Sequence, residues 1–144
     1  MRQIFAVVIA GVALLCSAAV DARDTRLLLS IDDALKQGRA DGTIDEDMKF
    51  RFGKGNKAGA GKLLGSDVAN RKTNAVNKTD IEACNWVFLS ALKALQQGAR
   101  GAGGTAVVEI VSYYKKREFS SATEFECHAG NIMAGVALKG TYAK

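Results

Sequence analysis

The chain contains no proline, one histidine and one tryptophan among its 144 residues. Without proline, turns must be made by other residues, and the 15 glycines are the main candidates. The single histidine, His128, leaves little material for Ser-His-Asp or Cys-His catalysis, which needs a histidine placed beside a nucleophile. No catalytic constellation is visible, so the sequence predicts a protein that is not an enzyme and that uses no cofactor.

An apolar run long enough to cross a membrane is also missing. The longest run covers residues 4–16, which is 13 residues against the roughly 20 that a span requires. It follows a short basic start, and Val20 and Ala22 then stand at the −3 and −1 positions of a cleavage site. We therefore predict that residues 1–22 are a signal peptide and that the mature protein is periplasmic or secreted. An uncleaved anchor and a lipoprotein attached through Cys16 are the alternatives, although Leu15 is larger than the residue that lipoprotein processing requires.

The clearest secondary-structure element is a helix from Asp80 to about Gly98. Thr79 and Glu82 form a capping box at its start, and apolar residues follow at three- and four-residue steps. A shorter helix over 31–37 is predicted within a leader of residues 23–46. The predicted strands are Met48–Phe52, Val68–Val76, Thr105–Tyr114, Thr123–Cys127 and Ile132–Tyr142. This order predicts a single α+β domain over residues 47–144, with one principal helix packed on a mainly antiparallel sheet.

Removal of the signal peptide leaves two cysteines, Cys84 and Cys127. An even number of cysteines in an exported chain favours a disulfide. Cys84 lies on the apolar stripe of the helix, and Cys127 shares a strand face with Phe125, so a helix packed on that face would bring the two sulfurs together. Two free thiols, or a metal site formed by Cys84, Cys127 and His128, are the alternatives. In the absence of such a site, His128 is expected to be exposed and without a role.

Basic residues are concentrated between Lys49 and Lys78, where eight Lys or Arg accompany a single acid, Asp67. Outside the cytoplasm, the partners that suit such a segment are an anionic envelope component or an acidic protein face rather than nucleic acid. A solvated loop that keeps the protein soluble is the alternative interpretation. The candidate partner-binding residues are Lys54, Lys57, Lys62, Arg71 and Lys72.

Four segments resemble a known group of proteins: Cys84–Leu95, Gly103–Ile110, Cys127–Gly130 and Ala134–Gly140. They are similar to small exported bacterial proteins that often carry the label "excinuclease ATPase subunit", over most of residues 45–143. More distantly, over roughly residues 80–140, they resemble the YbjQ/RcsF-type domain.

The resemblance implies a YbjQ/RcsF-like fold and a place in the cell envelope. Cysteines of the RcsF-like branch form disulfides, and Cys84 and Cys127 match two of those positions. That branch usually has four cysteines and a lipid anchor, whereas this chain has two cysteines and no lipobox. The YbjQ-like branch is associated with oligomers, so a homo-oligomer is a further expectation. The ATPase label does not fit the residues, because Leu63 stands where a phosphate-binding loop needs Ser or Thr to hold magnesium.

The leading interpretation is a non-enzymatic exported envelope protein that binds a partner or senses the state of the envelope and is stabilised by a disulfide. The alternative is a small metal-binding or redox protein that uses Cys84, Cys127 and His128.

Overall fold

Six strands and two helices form the part of the chain that the structure, a computed structural model, describes, residues 22–144. The strands are β1 (Thr25–Ser30), β2 (Lys49–Phe52), β3 (Leu63–Asn74), β4 (Ala106–Ser112), β5 (Glu124–Ala129) and β6 (Met133–Ala143), and the helices are α1 (Ile31–Ala40) and α2 (Asp80–Gly101). A short 3₁₀ turn, Tyr114–Lys116, follows β4. The predicted signal peptide lies outside the described residues except for Ala22. Neither helix in this range is long and apolar enough to cross a membrane.

The central strand of the sheet is β6. On one side it pairs with β3 along its whole length, and on the other it pairs with β5 at Ala134 and Gly135 and with β4 from Leu138 to Ala143. The sheet continues beyond β5 with β1 and beyond β4 with β2. Only the β2–β4 pairing is parallel; the other four are antiparallel. The α+β class is thus confirmed, with a mixed sheet.

α2 covers one face of this sheet, as its apolar stripe predicts. The capping box is present, because the Thr79 hydroxyl accepts from the Glu82 amide and the Glu82 carboxylate accepts from the Thr79 amide. Phe88 of α2 stacks on Phe125 of β5 with ring centroids 4.0 Å apart, and both side chains are buried. The apolar side chains between α2 and the sheet form the core.

A disulfide joins Cys84 of α2 to Cys127 of β5, with the sulfur atoms 2.06 Å apart. Both cysteines are completely buried. The two are 43 residues apart, and closing a loop of that length in the unfolded chain stabilises the folded state by about 4 kcal/mol in the chain-entropy model.

Residues 23–46 contribute more to the fold than a leader with a short helix. β1, which was not predicted, pairs with β5 along its whole length. α1 runs to Ala40 rather than residue 37 and packs on α2, so the description as one principal helix is only partly correct. Gly38 permits this packing, because a Cβ atom there would lie 2.5 Å from Cδ2 of Leu89.

Candidate functional site

A cleft of about 360 Å³ opens where β5 turns into β6, and we call it the hairpin cleft. Cys127 and Val136 face α2. Because side chains alternate between the two faces of a strand, the residues next to Cys127 and Val136 point to the opposite face. The hairpin cleft lies on that opposite face. The residues that line it include Asp24, Lys72, Tyr114, His128, Ile132, Met133 and Gly135.

Gly135 forms the floor of the hairpin cleft. A Cβ atom on Gly135 would lie 3.6 Å from Cε2 of Tyr114 and 3.7 Å from Cγ of Lys72. These are ordinary contact distances, so alanine would fit there, while a longer side chain would enter the space between Tyr114 and Lys72. The depth of the cleft therefore depends on the missing side chain at Gly135.

His128 lies at the inner wall of the cleft, between two carboxylates. Its Nδ1 is 2.9 Å from Oδ1 of Asp24, and its Nε2 is 2.7 Å from Oε1 of Glu126. The Tyr114 ring stacks on the imidazole with centroids 3.7 Å apart and planes 9° from parallel. His128 is only 8% exposed. The prediction of an exposed histidine is wrong, because the 3₁₀ turn after β4 places Tyr114 over the ring.

Glu126 is a buried carboxylate with a complete set of partners. Besides His128, Nη2 of Arg26 donates to Oε2 at 3.0 Å. The Glu126 amide donates to the hydroxyl of Ser112 at 3.0 Å. Burial raises the pKa of Glu126, but the hydrogen bonds from His128 and Arg26 outweigh it and hold this pKa below its usual range. Glu126 is therefore ionised at neutral pH and needs its donors.

The pKa of Tyr114 is shifted upwards, in the opposite direction to that of Glu126. Burial, followed by the negative charges of Asp24 and Glu126, raises the pKa of its hydroxyl. Tyr114 therefore remains a neutral aromatic ring at any physiological pH. It can provide a flat apolar wall for the cleft, with the Nζ of Lys115 5.5 Å from its ring centroid.

The structure does not bring together the five basic residues that the sequence singled out. Lys54 and Lys57 lie in the loop between β2 and β3, where their Nζ atoms are 4.0 Å from Glu118 and 3.7 Å from Glu109. Lys62 directly precedes β3, whereas Arg71 and Lys72 lie near its other end. At about 3.3 Å per residue, the two ends are roughly 30 Å apart.

Of these five residues, only Lys72 lines the hairpin cleft. Arg71 points to the other face of β3, where its guanidinium donates to the Asn70 carbonyl at 3.0 Å. Lys72 forms no ion pair with any residue in the described range 22–144. It is therefore an uncompensated positive charge at the mouth of the cleft.

The residues of the alternative metal site do not converge. Cys84 and Cys127 are bonded to each other on the α2 side of β5. His128 follows Cys127 on the same strand, so its side chain points to the other face. Over residues 22–144, no group of three or more His, Cys, Asp or Glu side chains is arranged to hold a metal ion.

Sequence reasoning missed most of the cleft. The sequence pattern places Asp24 in a leader, Tyr114 at the end of a strand, and Ile132 and Met133 in another strand, so it does not predict that they meet. One signal was available: once Cys127 is placed on the buried face of β5, alternation puts Glu126 and His128 together on the opposite face.

The chain has no match among protein-family models, curated proteins or solved structures.

Proposed function

We propose that this chain is a non-enzymatic, exported binding module of the cell envelope and that the hairpin cleft receives its partner. One observation carries the proposal. The uncompensated charge of Lys72 lies in the same cleft as two consecutive apolar side chains, Ile132 and Met133, which are 65% and 44% exposed. Large apolar side chains that border a concave site and remain exposed are typical of binding surfaces.

The cleft chemistry indicates what the partner must offer. An acidic group would pair with Lys72, and an apolar side chain would contact Ile132, Met133 and the Tyr114 ring. We propose a protein segment that carries an acidic residue next to an apolar one. A lipid surface is flat on this scale and would not reach the floor at Gly135, so the concave shape favours a protruding side chain.

The rest of the sequence interpretation supports this proposal. The predicted signal peptide favours a location outside the cytoplasm, where a buried disulfide is stable. The resemblance to exported YbjQ/RcsF-like proteins suggests the same location. In contrast, Lys54 and Lys57 have acidic neighbours of their own, so the basic loop is a weaker candidate than the end of β3.

Site-specific photo-cross-linking in the producing cells tests the proposal. The cross-linking amino acid replaces Ile132, and a second chain carries it at Ser90 of α2, on the other side of the molecule. We expect a protein adduct from position 132 and none from position 90. Gly135→Leu should abolish the adduct by filling the cleft, and Lys72→Glu should abolish it by reversing the charge.

Lys36→Glu is the matched control, because it makes the same charge change on α1, away from the cleft. The adduct should persist in this variant. Absence of any adduct at position 132, an adduct made of lipid, or an adduct that survives Gly135→Leu would each contradict the proposal.

A further inference from the structure

We infer that His128 is a pH-operated latch on the hairpin cleft: the doubly protonated ring ties Asp24 to Glu126, and loss of one proton releases Asp24. The latch rests on the proposed function only insofar as the cleft is the binding site. Its structural basis, one buried imidazole with a carboxylate at each nitrogen, is independent of any partner.

The number of protons follows from the two short contacts. A neutral imidazole carries one N–H and one acceptor nitrogen, whereas an ionised carboxylate only accepts. Nδ1 faces Asp24 at 2.9 Å and Nε2 faces Glu126 at 2.7 Å. Both contacts are hydrogen bonds only when both nitrogens carry a proton. His128 thus holds the two carboxylates together as an imidazolium.

The two attachments differ in how easily they can break. The Glu126 side chain is 9% exposed and lies within β5, so leaving its oxygen without a donor is costly. The Asp24 side chain is 45% exposed, precedes β1, and makes no other hydrogen bond within residues 22–144. When the ring becomes neutral, the remaining proton therefore stays on Nε2, and Asp24 turns to water.

The other charged groups around the His128 ring do not replace its contact with Asp24. Arg26 of β1 is already bonded to Glu126, and Arg23 is paired with Asp80. The remaining ionisable groups near the ring or its Tyr114 cover are Lys72 from β3, the Tyr114 hydroxyl, Lys115 and Arg117. None of them can donate to Asp24 in place of His128 without leaving its present position.

Loss of the proton from His128 changes the charge of the cleft as well as the position of Asp24 at its edge. With the imidazolium present, the positive ring offsets one of the two carboxylates beside it. After deprotonation, the cleft carries one more uncompensated negative charge, close to the place where Lys72 would receive an acidic group. We therefore expect an acidic partner to bind more tightly while the ring carries both protons.

Nuclear magnetic resonance of the ring nitrogens tests the latch without a partner. The chain has a single histidine, so its signals need no assignment. We expect both nitrogens to be protonated at a pH below the measured midpoint of the ring's titration, and only Nε2 at a pH above it. The backbone amide of Asp24 should shift over the same pH interval, while that of Cys84 should not.

Two variants of Asp24 sharpen this test. An asparagine amide can accept from Nδ1–H or donate to bare Nδ1, so Asp24→Asn should remove the pH-dependent amide shift at position 24 by keeping the contact at both pH values. Asp24→Ala should remove the same shift by abolishing the contact. The control Asp32→Asn, which removes one negative charge from α1, should leave the wild-type shift unchanged.

The latch is refuted if the neutral ring keeps its proton on Nδ1, or if the ring titrates with no change at Asp24. Cross-linking from position 132 at the same two pH values adds the link to binding, and we expect the higher yield at the lower pH. An equal yield at both pH values would refute the control of binding by the latch. A pH-dependent ring with no adduct at either pH would refute the proposed function alone, so the two failures can be distinguished.

Discussion

At the scale of single residues, Glu126 shows how a buried charge is accommodated. Its carboxylate lies on the sheet face away from the core, between an arginine and a histidine. Such a group contributes stability only while it is ionised and bonded. Because its pKa is lowered in the folded state, the contribution is present above the ordinary value of about 4.5 and is lost as the pH falls through the folded-state value.

Glu126→Gln should therefore destabilise the protein in a pH-dependent way. The amide cannot accept from both Arg26 and His128 with its two ends, so we expect a loss of about 1–2 kcal/mol near pH 7. The difference from wild type should shrink at acidic pH, as the wild-type carboxyl takes up its proton on passing through its lowered folded-state pKa. Urea unfolding at a series of pH values from 7 downwards measures this. Glu124→Gln, an exposed position on the same strand face, is the control, and a loss that stays equal at every pH would contradict the expectation.

At the scale of elements, α2 and the C-terminal part of the chain behave as local sequence signals predict. The capping box fixes the start of α2, and its apolar spacing fixes the face that packs on the sheet. β1 was not predicted because its three consecutive leucines do not alternate with polar residues. β3 begins five residues earlier than predicted, inside a segment whose glycines suggested a loop.

The hairpin cleft could not be predicted from local sequence patterns, for a different reason. Asp24, Lys72, Tyr114 and His128 are far apart in the chain and meet only because β1 and β6 pair with β5 and β3 pairs with β6. The disulfide could be predicted because both cysteines stood on faces that a period of two or 3.6 identifies as buried. Where long-range strand pairing brings polar groups together, no such period exists.

Gly98 of α2 provides a prediction at this scale. Alanine there should gain about 1 kcal/mol of helix propensity, but its Cβ would overlap the Tyr142 hydroxyl and lie 2.5 Å from Cζ of that ring. The ring is fixed, because its hydroxyl donates to Asp67 at 3.1 Å, and burial followed by the charge of Asp67 raises the pKa of Tyr142 to about 12. We expect Gly98→Ala to destabilise the protein by about 2 kcal/mol.

Gly101 is the matched control in the same helix. A Cβ atom at Gly101 meets no other atom within 4 Å, so Gly101→Ala should stabilise the protein by up to about 1 kcal/mol. Thermal unfolding of the two variants should therefore show shifts of opposite sign. A stabilised Gly98→Ala variant would mean that the Tyr142 ring can move aside.

At the scale of the whole molecule, one edge of the sheet, formed by β3, has several of its backbone groups occupied. On the free edge of β3, the Val68 amide donates to Asp67 at 2.8 Å, and the carbonyls of Asn70 and Asn74 accept from Arg71 and Lys78 at 3.0 and 2.9 Å. These three positions are an even number of residues apart, so their backbone groups point to the same edge. Occupied edge groups discourage the addition of another strand.

Removal of the side chains that bond to these edge carbonyls should promote self-association. Arg71→Ala combined with Lys78→Ala frees two carbonyls on an edge of 12 residues. We expect this variant to form dimers or larger species in sedimentation velocity at concentrations where the wild type does not. Lys36→Ala with Lys93→Ala removes the same charge from the helices and is the control. Identical sedimentation of both double variants would show that the Arg71 and Lys78 side chains do not protect the edge of β3 from pairing.

The position of β6 in the chain also bears on when the protein can fold. β3, β4 and β5 all depend on β6 for their place in the sheet, yet β6 is the last of these strands to be synthesised. Before residues 133–143 leave the ribosome, the only strand pairings that can form are the separate β1–β5 and β2–β4 ladders. The sheet therefore cannot be completed until residues 133–143 are available to join its separate parts.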